Sequence, residues 1–126
     1  MKADNKTLLY RLLKWIPALI IFSTSWYLSS QEHIEHMPSF WNADKLVHFV
    51  CFGGLCFWVS FACCTKNFSK VWIPVLIVSL YGIIDEIHQS FVPGRSTSVF
   101  DWMADTAGAF LGACVFLFVI KKLFKR

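Results

Sequence analysis

A chain of 126 residues that is 56% hydrophobic and only 16% charged has too few charges to cover the surface of a water-soluble globule. Thirteen Phe, six Trp and a mean hydropathy of +0.54 indicate an integral membrane protein instead. The net charge of +4 does not describe a nucleic-acid patch: ten of the twelve Lys and Arg flank apolar runs, as Lys2, Lys6, Arg11 and Lys14, as Lys66 and Lys70, and as Lys121, Lys122, Lys125 and Arg126.

Four apolar segments, at about residues 14–30, 46–64, 71–92 and 99–120, each approach the roughly 20 helical residues that cross a hydrocarbon core. They predict one all-α membrane domain over residues 1–126, a four-transmembrane-helix bundle. The first has Pro17 near its start. Its basic beginning and the small residues Ser23 and Ser25 also suit a cleavable signal peptide, whereas Trp26 and Tyr27 suit the interfacial belt of a retained helix. The five Cys are odd in number, lie in or beside apolar runs and form no CxxC, so neither a disulfide framework nor a thiolate metal site is expected.

By the positive-inside rule the N-terminus, the 65–70 loop and the C-terminus are cytoplasmic. The 31–44 and 93–98 loops, with Glu32, Glu35, Asp44 and Arg95, then face outward. Ala104, Gly108 and Gly112 recur every fourth residue, a small-residue stripe that lets helices approach closely, within the bundle or across a homo-oligomer.

The informative residues are those a membrane span should avoid. Asp44, Lys45 and His48 open the second segment, Asp85, Glu86, His88 and Gln89 end the third, and Asp101 and Asp105 open the fourth. Alternating directions put all of them in one outer layer, with Asp85 and Asp105 about 9 Å deep at about 1.5 Å per residue. Asp44 and His48, and Asp101 and Asp105, are i,i+4 pairs, and Asp85 and His88 are i,i+3. Ser79, Gly82, Glu86 and Gln89 form a small-and-polar stripe expected to face inward, with Asp85 and His88 to its side. Pro93-Gly94 signals a turn, and Ser98 with Asp101 suits a helix cap. Arg95 can reach back to a carboxylate, Asp101 included, or outward to a phosphate.

At these residues the chain resembles the VanZ-like family, small membrane proteins named for a teicoplanin-resistance protein. The matching pieces are Ser29-Ser30-Gln31, Asp44-Lys45-x-x-His48-Phe49, Tyr81-Gly82-x-x-Asp85-Glu86-x-x-Gln89, Val92-Pro93-Gly94-Arg95, Asp101 and Gly108-x-x-x-Gly112, over about residues 29–112. Asp105 stands where the family pattern has Asn, which counts against a charged role, and His88 occupies a looser position. The resemblance implies a four-helix membrane protein tied to the cell envelope or to glycopeptide response.

Two functions compete. In the favoured one, Asp44, Lys45, His48, Asp85, Glu86, Gln89, Arg95 and Asp101 bind a membrane lipid headgroup, a lipid-linked envelope precursor or a glycopeptide antibiotic. In the other the chain is a hydrolase of a lipid phosphate or pyrophosphate. His48 and Glu86 then serve as acid and base, or a divalent metal is drawn from Asp44, His48, Glu86, Asp101 and Asp105. No HExxH motif is present. A transporter ranks last, since the inner half of every span is apolar.

Overall fold

The computed structural model describes residues 2–32 and 43–125. All regular structure among them is helical: α1 (Lys2–Leu13), α2 (Ile16–Ser29), α3 (Ala43–Ala62), α4 (Trp72–Ser90) and α5 (Val99–Phe124), with a 3₁₀ turn at Phe68–Lys70 before α4. Four stretches are long and apolar enough to cross a membrane: Asp4–Ser29, Ala43–Ala62, Phe68–Ser90 and Val99–Phe124. Glu35, expected in an outward loop, lies outside the described residues.

The boundaries follow local chemistry. The first span starts well before residue 14, because Leu8, Leu9, Leu12 and Leu13 join Lys6 and Arg11 in a run of good helix formers. Pro17 then divides the span into α1 and α2, since proline offers no N–H to the preceding turn; Trp15 N bonds Leu12 O at 3.0 Å across the break. Helix α3 ends in a Schellman-type cap, with Thr65 N on Ser60 O at 3.0 Å and Cys64 at φ +54°, a position usually left to glycine. Helix α5 runs on to Phe124, carrying Lys121 and Lys122 in its last turn beside the unpaired carbonyls.

Helices α3 and α5 run side by side in the same direction. Gly108 faces Phe49 and Gly112 faces Gly53, so closely that a Cβ on Gly108 would overlap the Phe49 carbonyl and one on Gly112 the Gly53 carbonyl. The small-residue stripe is therefore used up inside the chain, and Gly108 and Gly112 are buried. Of the two uses expected for it, within the bundle or across a homo-oligomer, the stripe is seen packed against α3. The core below is Phe52, Leu55, Cys56, Val59, Val78, Tyr81, Ala109, Ala113 and Leu117.

Helix α4 packs against α5, α3 and α2, and its polar face divides between α5 and α2. Ser79 Oγ meets Thr106 Oγ1 at 2.9 Å, and the Ser79 carbonyl accepts from Trp102 Nε1 at 3.1 Å, so Ser79, Gly82 and Glu86 look toward α5. Asp85 and Gln89, at 1% and 2% exposure, look toward α2. The expectation that Asp85 lies to the side of the inward face is thus wrong. Adjacent helical residues point about 100° apart, so Asp85 and Glu86 serve different partners.

Candidate functional site

The polar residues of α2, α3, α4 and α5 gather at one end of the bundle, and the parallel course of α3 and α5 makes two rungs between them. Lys45 Nζ lies 3.2 Å from Asp101 Oδ1, and His48 Nδ1 lies 2.8 Å from Asp105 Oδ1. Lys45 also reaches Asp44 Oδ2 at 3.5 Å, but the Asp44 side chain is 51% exposed and does not join His48, its i,i+4 neighbour. Asp105 is 0% exposed. Where the Asn of the family pattern counted against charge, the chain has a buried carboxylate held against an imidazole.

Glu86 completes a second grouping. His48, Glu86 and Asp105 each offer a ligand atom, and these atoms lie within 4.8 Å of one another. Glu86 Oε2 accepts from the Ser98 backbone N–H at 3.3 Å, while Glu86 Oε1 and Asp105 Oδ2 are buried with no hydrogen-bond partner among the described residues. Gly82 makes the approach of Asp105 to α4 feasible, since a Cβ there would sit 3.2 Å from Asp105 Oδ2. Of the metal candidates named from sequence, His48, Glu86 and Asp105 converge. Asp44 and Asp101 instead pair with Lys45.

On the α2 side, Asp85 accepts from Ser29 Oγ and from Gln89 Nε2, the latter at 3.3 Å, and Gln89 Nε2 also donates to Ser29 Oγ at 3.0 Å. Tyr81 donates its hydroxyl to Ser25 Oγ at 3.2 Å. A cavity of about 50 Å³ lies here, lined by Ser29, His48, Asp85, Gln89 and Arg95, with room for a few water molecules. Ser25 and Ser29 carried no site role in the sequence reading; their i,i+4 spacing was the available signal.

Among the described residues, Arg95 bonds backbone carbonyls and not a carboxylate. The Val92-Pro93-Gly94-Arg95 turn, with Gly94 at φ +79° and Arg95 N on Val92 O at 3.2 Å, folds it back onto the end of α2. There Arg95 Nη1 donates to Gln31 O and to Leu28 O, both at 3.1 Å, and Leu28 O also accepts from Gln31 N at 3.2 Å. Ser98 caps α5 as expected, accepting from Asp101 N at 3.2 Å. Trp26 is half-buried and stacks on His88 with ring centroids 3.9 Å apart.

A cleft of about 460 Å³ opens between the end of α4 and the start of α5. Its walls include Ile83, Ile87 and Val99, and its polar side is made by Glu86, Ser98 and Trp102. An apolar approach thus leads to a carboxylate whose second face belongs to the His48 and Asp105 grouping.

A comparison with curated proteins and with solved structures returns no match. A family model described as VanZ/LLP1 matches residues 2–121, nearly the whole chain and every residue of the polar layer. The chain belongs to the VanZ/LLP1 family.

Proposed function

We propose that this VanZ-family membrane protein takes the headgroup of an envelope lipid, such as a lipid-linked cell-wall precursor, into the polar layer on the outer side of a bacterial cytoplasmic membrane. The carrying observation is the cleft between α4 and α5, whose apolar walls at Ile83, Ile87 and Val99 suit acyl or prenyl chains while Glu86, Ser98 and Trp102 suit a headgroup. Lys45 and Arg95 hold carboxylates and carbonyls of the chain itself, so headgroup contact falls to the cleft residues. Sequestering or displacing such a precursor would change what a teicoplanin-type glycopeptide finds at the membrane.

The test is photo-crosslinking in native membranes with a benzophenone amino acid at Ile87, compared with Leu111 on the lipid-exposed side of α5. Adducts of a polyprenyl-phosphate-linked species at Ile87 and bulk phospholipid at Leu111 support the reading. The same bulk phospholipid at both positions sinks it.

A hydrolase reading is favoured by one observation, the convergence of His48, Glu86 and Asp105 beside the cleft. Glu86 and His48 would activate water against a lipid phosphate or pyrophosphate, with Asp105 orienting the imidazole. Release of inorganic phosphate from a polyprenyl pyrophosphate, lost in Glu86→Gln, distinguishes catalysis from binding.

A further inference from the structure

Charge accounting in the polar layer leaves an imbalance. Lys45 answers Asp101 and Asp44, Arg95 is committed to two backbone carbonyls, and Asp85 is met by Ser29 and Gln89. Among the described residues, Asp105 and Glu86 face only His48 and one backbone N–H, and each keeps a buried oxygen without a hydrogen-bond partner. Unpaired carboxylate oxygens inside a membrane are costly. Asp105 has no exposed surface at all, so bulk water does not relieve it.

We propose that His48, Glu86 and Asp105 bind one divalent transition-metal cation between α3, α4 and α5. Three helices deliver one imidazole nitrogen and two carboxylate oxygens to a common point, with the ligand atoms within 4.8 Å of one another. A tetrahedral ion with bonds of about 2.0–2.1 Å needs ligand separations of roughly 3.4 Å, which small side-chain rotations supply. The nitrogen and mixed oxygen set suits zinc or manganese better than calcium, which takes six to eight oxygens. Binding would release any proton held between His48 Nδ1 and Asp105 Oδ1. Three protein ligands leave at least one coordination position for an outside group. Glu86 borders the cleft, so that position is where a headgroup phosphate oxygen would be taken, a last step that rests on the headgroup reading above.

The experiment uses the full chain in detergent, in a His33→Ala/His36→Ala background so that loop imidazoles do not contribute. After chelation and reloading with Zn²⁺, elemental analysis should find about one ion per chain, and Co²⁺ loading should give visible d–d bands of a nitrogen and oxygen site. Glu86→Gln and Asp105→Asn should weaken Zn²⁺ binding roughly 100-fold or more, beyond the about 10–100-fold typical of outer-shell changes, while Asp44→Asn retains it. Failure of the parent to take up Zn²⁺, Mn²⁺ or Co²⁺ overturns the site, as does undiminished binding in both variants. If the variants do not fold, paramagnetic shifts from Co²⁺ in the parent decide the matter: they must fall on the His48 ring and spare His88. Crosslinking at Ile87 with and without chelator separates the two readings, since a lipid adduct that survives metal failure leaves the headgroup site standing.

Discussion

His48 of α3 and Asp105 of α5 are 57 residues apart in sequence, yet their side chains meet at 2.8 Å inside the bundle. The contact exists because α3 and α5 run in parallel, brought close together at Gly53, Gly108 and Gly112. Removing one member leaves the other buried without its partner.

Each single substitution, His48→Ala or Asp105→Ala, should therefore cost about 3–5 kcal/mol of stability. The double variant should cost clearly less than the sum, giving a coupling energy of about 1–3 kcal/mol. Reversible unfolding in mixed micelles measures the cycle; additive losses would show that the two side chains do not act as a pair.

Glycine positions provide a sharper contrast. Gly112→Ala drives a methyl into the Gly53 carbonyl and Gly108→Ala into that of Phe49, so both should destabilise by about 2 kcal/mol or more. Gly54 has nothing within 4 Å of its Cβ position, and Gly54→Ala should be neutral or stabilise by about 0.5–1 kcal/mol. Equal losses at Gly54 and Gly112 would contradict the close packing.

Ser29 lies between Asp85 and Gln89. Ser29→Ala removes the hydroxyl that both use and should cost about 1–3 kcal/mol, whereas Ser30→Ala, which loses a bond to the Trp26 carbonyl at an exposed position, should cost under about 1 kcal/mol. Thermal unfolding of the two variants side by side makes the comparison.

Arg95→Ala should release the 93–98 turn from the end of α2 without unfolding the bundle. Hydrogen exchange at the amides of residues 92–97 should rise at least about tenfold, the loss of some 1.4 kcal/mol of local protection, while exchange in the middle of α5 is unchanged. Unchanged exchange in the turn would show that the two carbonyl bonds hold nothing in place.

Sidedness has a built-in reporter. Cys64 is exposed at the end of α3 opposite the polar layer, with Lys14 Nζ 3.3 Å from its sulfur. If the cationic end is cytoplasmic, a membrane-impermeant maleimide labels Cys64 in inverted vesicles and not in intact spheroplasts, and Cys64→Ser abolishes the signal. Labelling from outside reverses the proposed orientation and places the polar layer on the cytoplasmic face.

Much of this molecule is legible in one dimension. Apolar length marks the four spans, and the Pro93-Gly94 turn and the Ser98 cap are local chemistry that needs no partner. The convergence of the ionisable residues on one layer also follows, because span direction alternates. What remains hidden is which carboxylate meets which partner. Asp44 and His48 share a helical face by spacing, but the rotation of α3 against α5 turns His48 in and Asp44 out. Likewise Asp85 and Glu86 are equivalent in a hydropathy profile, and only the positions of α2 and α5 around α4 separate them. Arg95 escaped because backbone carbonyls at a helix end carry no sequence signature.

The glycine seam has a mechanical consequence. Where Gly53, Gly108 and Gly112 bring the two backbones together, α3 and α5 have no layer of side chains that could shear, so this end of the pair should move as one plank. His48 and Asp105 are both bolted to that plank, whereas Glu86 rides on α4, which beyond its core residues Val78 and Tyr81 meets it through hydroxyls, an indole and the open cleft. Any breathing of the site is thus a swing of Glu86 toward or away from a fixed pair, a door with one moving leaf.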